Sequence, residues 1–187
     1  NHRGVFNAFL AKLGIGNNSE DILRTVDKLA KIGKDEVYKQ LLEFTSGGVK
    51  SAEDAANEVL TFVNGAEDFD STLELMKKLT GADENASDES AEKNAAKAIN
   101  RLAEIRSMMK ASGIENTFVL DPSITRGLDY YTGTVYETKL KEYPGIGSIC
   151  SGGRYDNLAE YYTDKKLPGV GISIGLTRLF YQLREAG

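Results

Sequence analysis

The sequence predicts an α+β protein in which a helical segment precedes an antiparallel sheet. Residues 19–113 contain no proline, and their apolar side chains recur at helical spacing between charged ones. From Phe118 onward, short β-branched stretches follow one another, with glycine-containing turns and no helix between them. Strands joined in this way favour an antiparallel sheet over a doubly wound parallel one.

The predicted helices are bounded by glycines and polar caps. Residues 1–15 have the pattern of a short amphipathic helix, and Ser19 offers the N-cap of a second helix, which Gly33 ends. A third helix begins at Asp35 and ends near Ser46. Further helices are predicted over 51–63, over 69–79 and, after an exposed acidic loop at 82–90, over about 90–112. Together they predict a helical bundle.

The second part of the chain is predicted to contain short strands and one closing helix. The strands are expected where β-branched residues cluster between turn residues. Their predicted positions are 118–121, 134–140, 149–151 and 169–175, and the closing helix runs over about 176–183.

The composition excludes several classes of protein. Hydrophobic residues make up 41% and charged residues 27% of the 187 residues, as in soluble globular proteins. No apolar run reaches the roughly 18 to 20 residues that span a bilayer, so no membrane partner is expected. The net charge of −5 argues against general polyanion binding, because Lys and Arg supply most non-specific affinity for nucleic acids.

Any RNA contact must therefore be local. Lys93, Lys97 and Arg101 recur every fourth residue along one face of the longest predicted helix, where they could meet an RNA backbone. A plain solvated face is the alternative interpretation of the same pattern.

The single cysteine and the single histidine do not indicate a catalytic or metal site. Cys150 cannot form an internal disulfide and has no Cys or His neighbour at metal-ligand spacing. We expect it to be a small buried residue in a reducing compartment such as the cytoplasm. His2 is expected to be exposed or structural.

The first segment with ligand-facing chemistry spans residues 126–133. Arg126 offers a planar fork of donors that suits a carboxylate or a phosphate, and Asp129 can hold that guanidinium or a ligand amine. Tyr130 and Tyr131 add ring faces with hydroxyl tips. The alternative is a twisted hairpin whose aromatic side chains pack across strands.

The second segment spans residues 151–158. Gly152 and Gly153 directly follow a predicted strand, and their missing Cβ atoms would let a flat ligand approach the backbone closely. Arg154 and Tyr155 come next. A glycine-rich turn without a ligand is the alternative.

The third segment, residues 169–179, alternates glycine with β-branched residues and then enters a helix. Small residues such as Gly171 on one side of a strand make a floor for a purine ring. Arg178 lies in the first turn of the helix, where a polyphosphate is favoured. The alternative is a buried strand packed tightly against a neighbour.

Together these segments resemble the histidyl-tRNA synthetases. The histidine-specific signature of that family is similar to RGLDYYTGTVYE, which begins at Arg126, and its second histidine-site segment looks like SGGRYD, which begins at Ser151. Motif 3 of the class II synthetases resembles GVGISIGLTRL at 169–179. The resemblance implies part of the class II antiparallel sheet with flanking helices, interrupted by an all-helical insertion domain.

The resemblance also implies a domain organisation. It assigns residues 1–16 and 118–187 to a partial catalytic domain and residues 17–117 to the helical insertion domain. Motifs 1 and 2 should precede this segment in the family, and an anticodon-binding domain should follow it. We therefore expect an internal fragment that adenylates histidine poorly or not at all by itself.

Each matching residue acquires an implied role. Arg126 would be the catalytic residue, contacting the α-phosphate of ATP and the carboxylate of histidine. Tyr131 and Tyr155 would read the substrate imidazole, and Arg178 would clamp an ATP phosphate. The implied histidine-binding residues are Asp129, Tyr130, Tyr131, Gly153, Tyr155 and Gly171, and the implied ATP-binding residues are Arg126, Gly152 and Arg178. This interpretation expects Arg126, Arg178 and Tyr155 to line one cleft floored by glycine.

The implied partners are histidine, ATP and tRNA(His), in an enzyme expected to be a cytoplasmic homodimer. Mg²⁺ would accompany ATP as a counter-ion, with no protein ligand set recognised for it and no tightly bound cofactor. Two alternatives remain open: a non-catalytic regulatory or RNA-binding relative, and a helical domain that serves mainly as a clamp for the tRNA acceptor end.

Overall fold

A computed structural model describes residues 1–124 and 131–186, which belong to two compact units, Asn1–Arg126 and Gly127–Gly187. The first unit is helical and the second contains an antiparallel sheet. The predicted α+β class is therefore confirmed. The assignment of 1–16 and 118–187 to one catalytic domain remains a prediction about the whole protein.

The described part of the first unit contains seven α-helices at nearly the predicted positions. The continuous helix predicted from Ser19 to Gly33 is wrong, because the N–H of Lys28 bonds to the carbonyl of Thr25 at 3.1 Å. This three-residue spacing tightens the last turn and ends the helix. The helices are α1 Arg3–Lys12, α2 Ser19–Val26, α3 Leu29–Ile32, α4 Lys34–Thr45, α5 Ala52–Asn64, α6 Phe69–Thr80 and α7 Ala91–Ala111.

Three phenylalanines form the centre of the helical core. The ring of Phe62 on α5 stacks on Phe9 of α1 at a centroid distance of 4.7 Å and meets Phe6 edge to face at 5.3 Å. All three side chains are almost completely buried. α1 lies close to α7, since a Cβ added to Gly4 would be 3.4 Å from the Cβ of Ala98.

Removing the N-cap of α7 is expected to destabilise the helical unit slightly. The Ser90 hydroxyl accepts a hydrogen bond from the backbone N–H of Lys93 at 3.1 Å. Ser90→Ala leaves that donor without its partner and should lower the free energy of unfolding by about 1 kcal/mol. Urea unfolding followed by helical circular dichroism measures this, with Ser112→Ala at the other end of α7 as the control. Equal losses in the two variants would contradict the capping role.

The sheet of the second unit has three described strands, β1 Val135–Lys139, β2 Ser148–Tyr155 and β3 Gly169–Ile174, paired antiparallel in the order β1-β2-β3. The closing helix α8 Leu176–Ala186 follows at once. Among the described helices of both units, none has the length and apolarity that crossing a bilayer requires.

Two sequence expectations for this region need correction. Residues 118–121 form no strand; Leu120 is buried in the helical core while Val119 is 83% exposed. Gly152 and Gly153 do not form a turn after a strand but lie inside β2, which runs on to Tyr155. Both glycines are thus held in the ladder, and each points to a fixed face of the sheet.

Candidate functional site

Three of the nine predicted site residues belong to a segment that the structure does not describe. Arg126, Asp129 and Tyr130 lie outside the described residues, so their predicted roles rest on the sequence alone. The predicted site residues that the structure does describe are Tyr131, Gly152, Gly153, Tyr155, Gly171 and Arg178.

Two tyrosine rings lie over glycines on one face of the sheet. Gly153 is paired with Gly171, and Tyr155 with Gly169, so all four point to the same face. We call it the glycine face. A Cβ added to Gly153 would lie 2.8 Å from Cδ1 of Tyr131. One added to Gly169 would lie 2.5 Å from the Tyr155 ring.

Gly171 differs from these two glycines in the space above it. A Cβ there would have Cε1 of Tyr155 as its nearest neighbour, at 3.4 Å, an ordinary van der Waals distance. The structure therefore brings Tyr131, Gly153, Tyr155 and Gly171 together as predicted, and it leaves room at Gly171. Phenols beside an open backbone floor can bind a small polar ring by stacking and hydrogen bonding.

A row of polar residues lies next to these glycines, and sequence reasoning missed it. Ser151 is paired with Glu137 on one side and with Ser173 on the other. These three residues lie two residues along their strands from Val135, Gly153 and Gly171, so they are on the glycine face. Glu137 is half-buried and the two serines are exposed. Alternation along β1 could have placed Glu137 on the face of Val135, but only the register between strands places the three residues in one row.

Gly152 serves the other face of the sheet. The space where its Cβ would be is taken first by the carbonyl oxygen of Gly171 and then by Tyr136, whose Oη would lie 2.7 Å away and whose Cζ 2.8 Å away. The structure thus gives a packing reason for this glycine. The predicted contact of Gly152 with ATP remains a prediction.

Arg154 forms part of a polar network at the end of β2. Its Nε donates to Oδ1 of Asp156 at 2.9 Å, and the hydroxyl of Thr132 donates to Oδ2 at 2.7 Å. The Arg154 side chain lies across Gly133, where an added Cβ would be 2.9 Å from its Cδ. These contacts tie the segment before β1 to the end of β2, beside Tyr131 and Tyr155.

Arg178 and Tyr155 do not lie side by side. The Arg178 guanidinium donates to the carbonyl of Ser148 at 2.9 Å, at the beginning of β2, whereas Tyr155 ends that strand. Seven residue steps of about 3.3 Å separate the two positions by roughly 23 Å. A ligand that contacts both side chains must therefore extend along β2.

The basic row on α7 is less available than the sequence suggests. The ammonium group of Lys93 bonds to the carbonyl of Glu84, and Arg101 pairs with Glu104 at 2.7 Å. Lys97 lines an open cleft of about 540 Å³ between α1 and α7, together with Glu89. Arg101 is thus paired with a carboxylate and Lys93 with a backbone carbonyl, which leaves fewer free cationic groups for an RNA backbone than the sequence alone suggests.

Comparison with known proteins identifies the relatives of this chain. A family model described as histidyl-tRNA synthetase matches residues 2–179. A histidine–tRNA ligase from Treponema denticola is 46% identical over 192 residues, covering 100% of this chain and 39% of the relative. The crystal structure of a histidyl-tRNA synthetase from Nostoc sp. PCC 7120 superposes with a TM-score of 0.84 at 32% identity, covering 100% of this chain and 41% of that one.

A more distant structure shares the fold alone. It is described as an ATP phosphoribosyltransferase regulatory subunit/histidyl-tRNA synthetase from Bacillus halodurans, and it superposes over 92% of this chain with a TM-score of 0.67 at 17% identity. The chain spans about two fifths of the length of the curated relatives it matches.

Proposed function

Because this chain belongs to the histidyl-tRNA synthetase family, we propose that its glycine face binds histidine and ATP in the whole protein. The whole protein then forms histidyl-adenylate and transfers histidine to tRNA(His). One observation carries the proposal: Tyr131 and Tyr155 lie over paired glycines on the same face of the sheet. The imidazole of histidine has one donor and one acceptor nitrogen, and a phenol can satisfy either.

The proposed ligand runs along β2. With the imidazole between Tyr131 and Tyr155, the ammonium group of the amino acid lies toward Glu137, Ser151 and Ser173, and the nucleotide lies toward Arg178. The extended distance between Tyr155 and Arg178 suits an aminoacyl-adenylate better than a single amino acid. The polar row then lies beneath the middle of the ligand, where the acyl phosphate and the ribose offer hydrogen-bonding groups.

The proposed chemistry needs charge stabilisation more than a protein nucleophile. A carboxylate oxygen of histidine attacks the α-phosphorus of ATP, the new O–P bond forms, and the bond to pyrophosphate breaks. Negative charge develops on the α-phosphate, and a guanidinium already aimed at it needs no reorganisation. We assign that role to Arg126 on the sequence resemblance. Cys150 is buried, which agrees with its expected structural role.

Mg²⁺ is proposed as the counter-ion of ATP. Protein sites usually hold it through one or two carboxylates together with substrate phosphates. In the described part of the chain no three His, Cys, Asp or Glu side chains form a metal-binding group, so the phosphates of ATP are proposed as the main ligands. Dimerisation and a cytoplasmic location of the whole protein belong to the same proposal.

The decisive experiment is histidine-dependent exchange of pyrophosphate into ATP. We expect the whole protein to catalyse it and the isolated chain not to, because the chain corresponds to only 39% of its Treponema denticola relative. Exchange by the isolated chain would contradict this expectation. No exchange by the whole protein would favour a regulatory relative instead.

A second measurement separates these two functions. The whole protein should bind a non-hydrolysable histidyl-adenylate analogue, and Arg126→Ala should weaken that binding strongly because it removes the phosphate-facing charge. A regulatory site that binds histidine alone would show no preference for the analogue over histidine. A gel-shift titration of the chain with tRNA(His) tests the acceptor-clamp alternative, which predicts salt-sensitive binding.

A further inference from the structure

Tyr136 connects all three strands on the face opposite the glycine face. It belongs to β1 and is paired with Gly152 of β2. Its Oη donates a hydrogen bond of 2.5 Å to the carbonyl of Gly171 on β3. The phenol crosses β2 over Gly152, where an added Cβ would lie 2.8 Å from Cζ of Tyr136.

On that face the described part of the chain covers little of β3. Val170, Ile172 and Ile174 point the same way from β3 and are 63%, 65% and 61% exposed. Glycine within a strand contributes no side-chain packing and loosens it further. The bond from Tyr136 therefore adds a side-chain contact to the ladder that pairs Gly171 with Gly153.

We propose that Tyr136 is a positioning residue for histidine binding, because it holds the carbonyl of Gly171 and so fixes the floor beneath Tyr155. The inference rests on the proposed function of the glycine face. Tyr136 touches no substrate in this arrangement. It acts through Gly171, from the opposite side of the sheet.

The protonation state of Tyr136 agrees with this role. Burial raises the pKa of the phenol above its ordinary value of 10, and Cys150 and Tyr155 raise it further. A group whose pKa is raised on folding keeps its proton up to and beyond its ordinary range. The phenol therefore remains a hydrogen-bond donor at every pH at which an enzyme of this kind would be assayed.

The test is Tyr136→Phe in the whole protein, which removes the hydroxyl and keeps the ring over Gly152. We expect the KM for histidine in pyrophosphate exchange to rise about fivefold, the effect of one ordinary hydrogen bond, while the KM for ATP and kcat change less than twofold. Tyr161→Phe is the matched control, because Tyr161 is 80% exposed in the same unit. It should leave every constant unchanged.

Several outcomes would overturn the inference. An unchanged KM for histidine would show that the bond has no positioning role, and an equal rise in both KM values would indicate general loosening of the sheet. Amide hydrogen exchange of β3 in the whole protein is an independent test of the contact. We expect about fivefold faster exchange at Gly171 and Ile172 in Tyr136→Phe. If the wild type does not catalyse exchange, the proposed function fails; unchanged amide protection in β3 overturns the Tyr136 contact itself.

Discussion

Replacing Phe62 by alanine is expected to lower the free energy of unfolding of the helical unit by about 3–5 kcal/mol. Phe62 is 1% exposed and contacts the rings of both Phe9 and Phe6. Truncation removes the stacked pair and leaves a cavity between α1 and α5. Because small domains have total stabilities of about 5–15 kcal/mol, a large part of the unit's stability would be lost.

Urea unfolding of the chain, followed by helical circular dichroism, measures this loss. Phe118→Ala is the matched control, because Phe118 belongs to the same unit and is 44% exposed. It should cost no more than about 1 kcal/mol. Similar midpoints for the two variants would mean that the three phenylalanines do not form the centre of the core.

The helical unit was largely predictable because its signals are local. Ser51 and Ser90 accept hydrogen bonds from the N–H groups three residues on, and α5 and α7 begin directly after them. The end of α2 before Lys28 could not be predicted for a different reason. The apolar pattern continues past this point, and only the backbone hydrogen bonding changes. The strand predicted over 118–121 was wrong because strand propensity does not show whether a partner strand is available. Leu120 instead packs with the helices.

The site was predictable in its residues but not in its geometry. Glycines beside tyrosines marked the right segments, and four of the predicted residues do share one face. The sequence could not separate Gly152 from Gly153, because a shift of one residue in register exchanges the two faces of a strand. For the same reason it could not bring Glu137 beside Ser151, or place Arg178 at the far end of β2.

Adding one methyl group at Gly171 should damage histidine binding far more than it damages the fold. The nearest atom to the new Cβ in Gly171→Ala is Cε1 of Tyr155 at 3.4 Å, so the folded chain accommodates it. The methyl group projects from the glycine face into the space proposed for the imidazole. Overpacking of this kind costs about 1–3 kcal/mol, which corresponds to a rise in the KM for histidine of roughly ten- to a hundredfold.

Two glycines provide controls for this variant in the whole protein. Gly145→Ala should be neutral, because its added Cβ has no neighbour within 4 Å. Gly169→Ala should lower both stability and histidine affinity, since its Cβ would lie 2.5 Å from the ring of Tyr155 and displace it. Comparing the two variants distinguishes loss of the space above Gly171 from displacement of the Tyr155 ring. Gly171→Ala with a wild-type KM for histidine and an unchanged melting temperature would place the amino acid somewhere other than the glycine face.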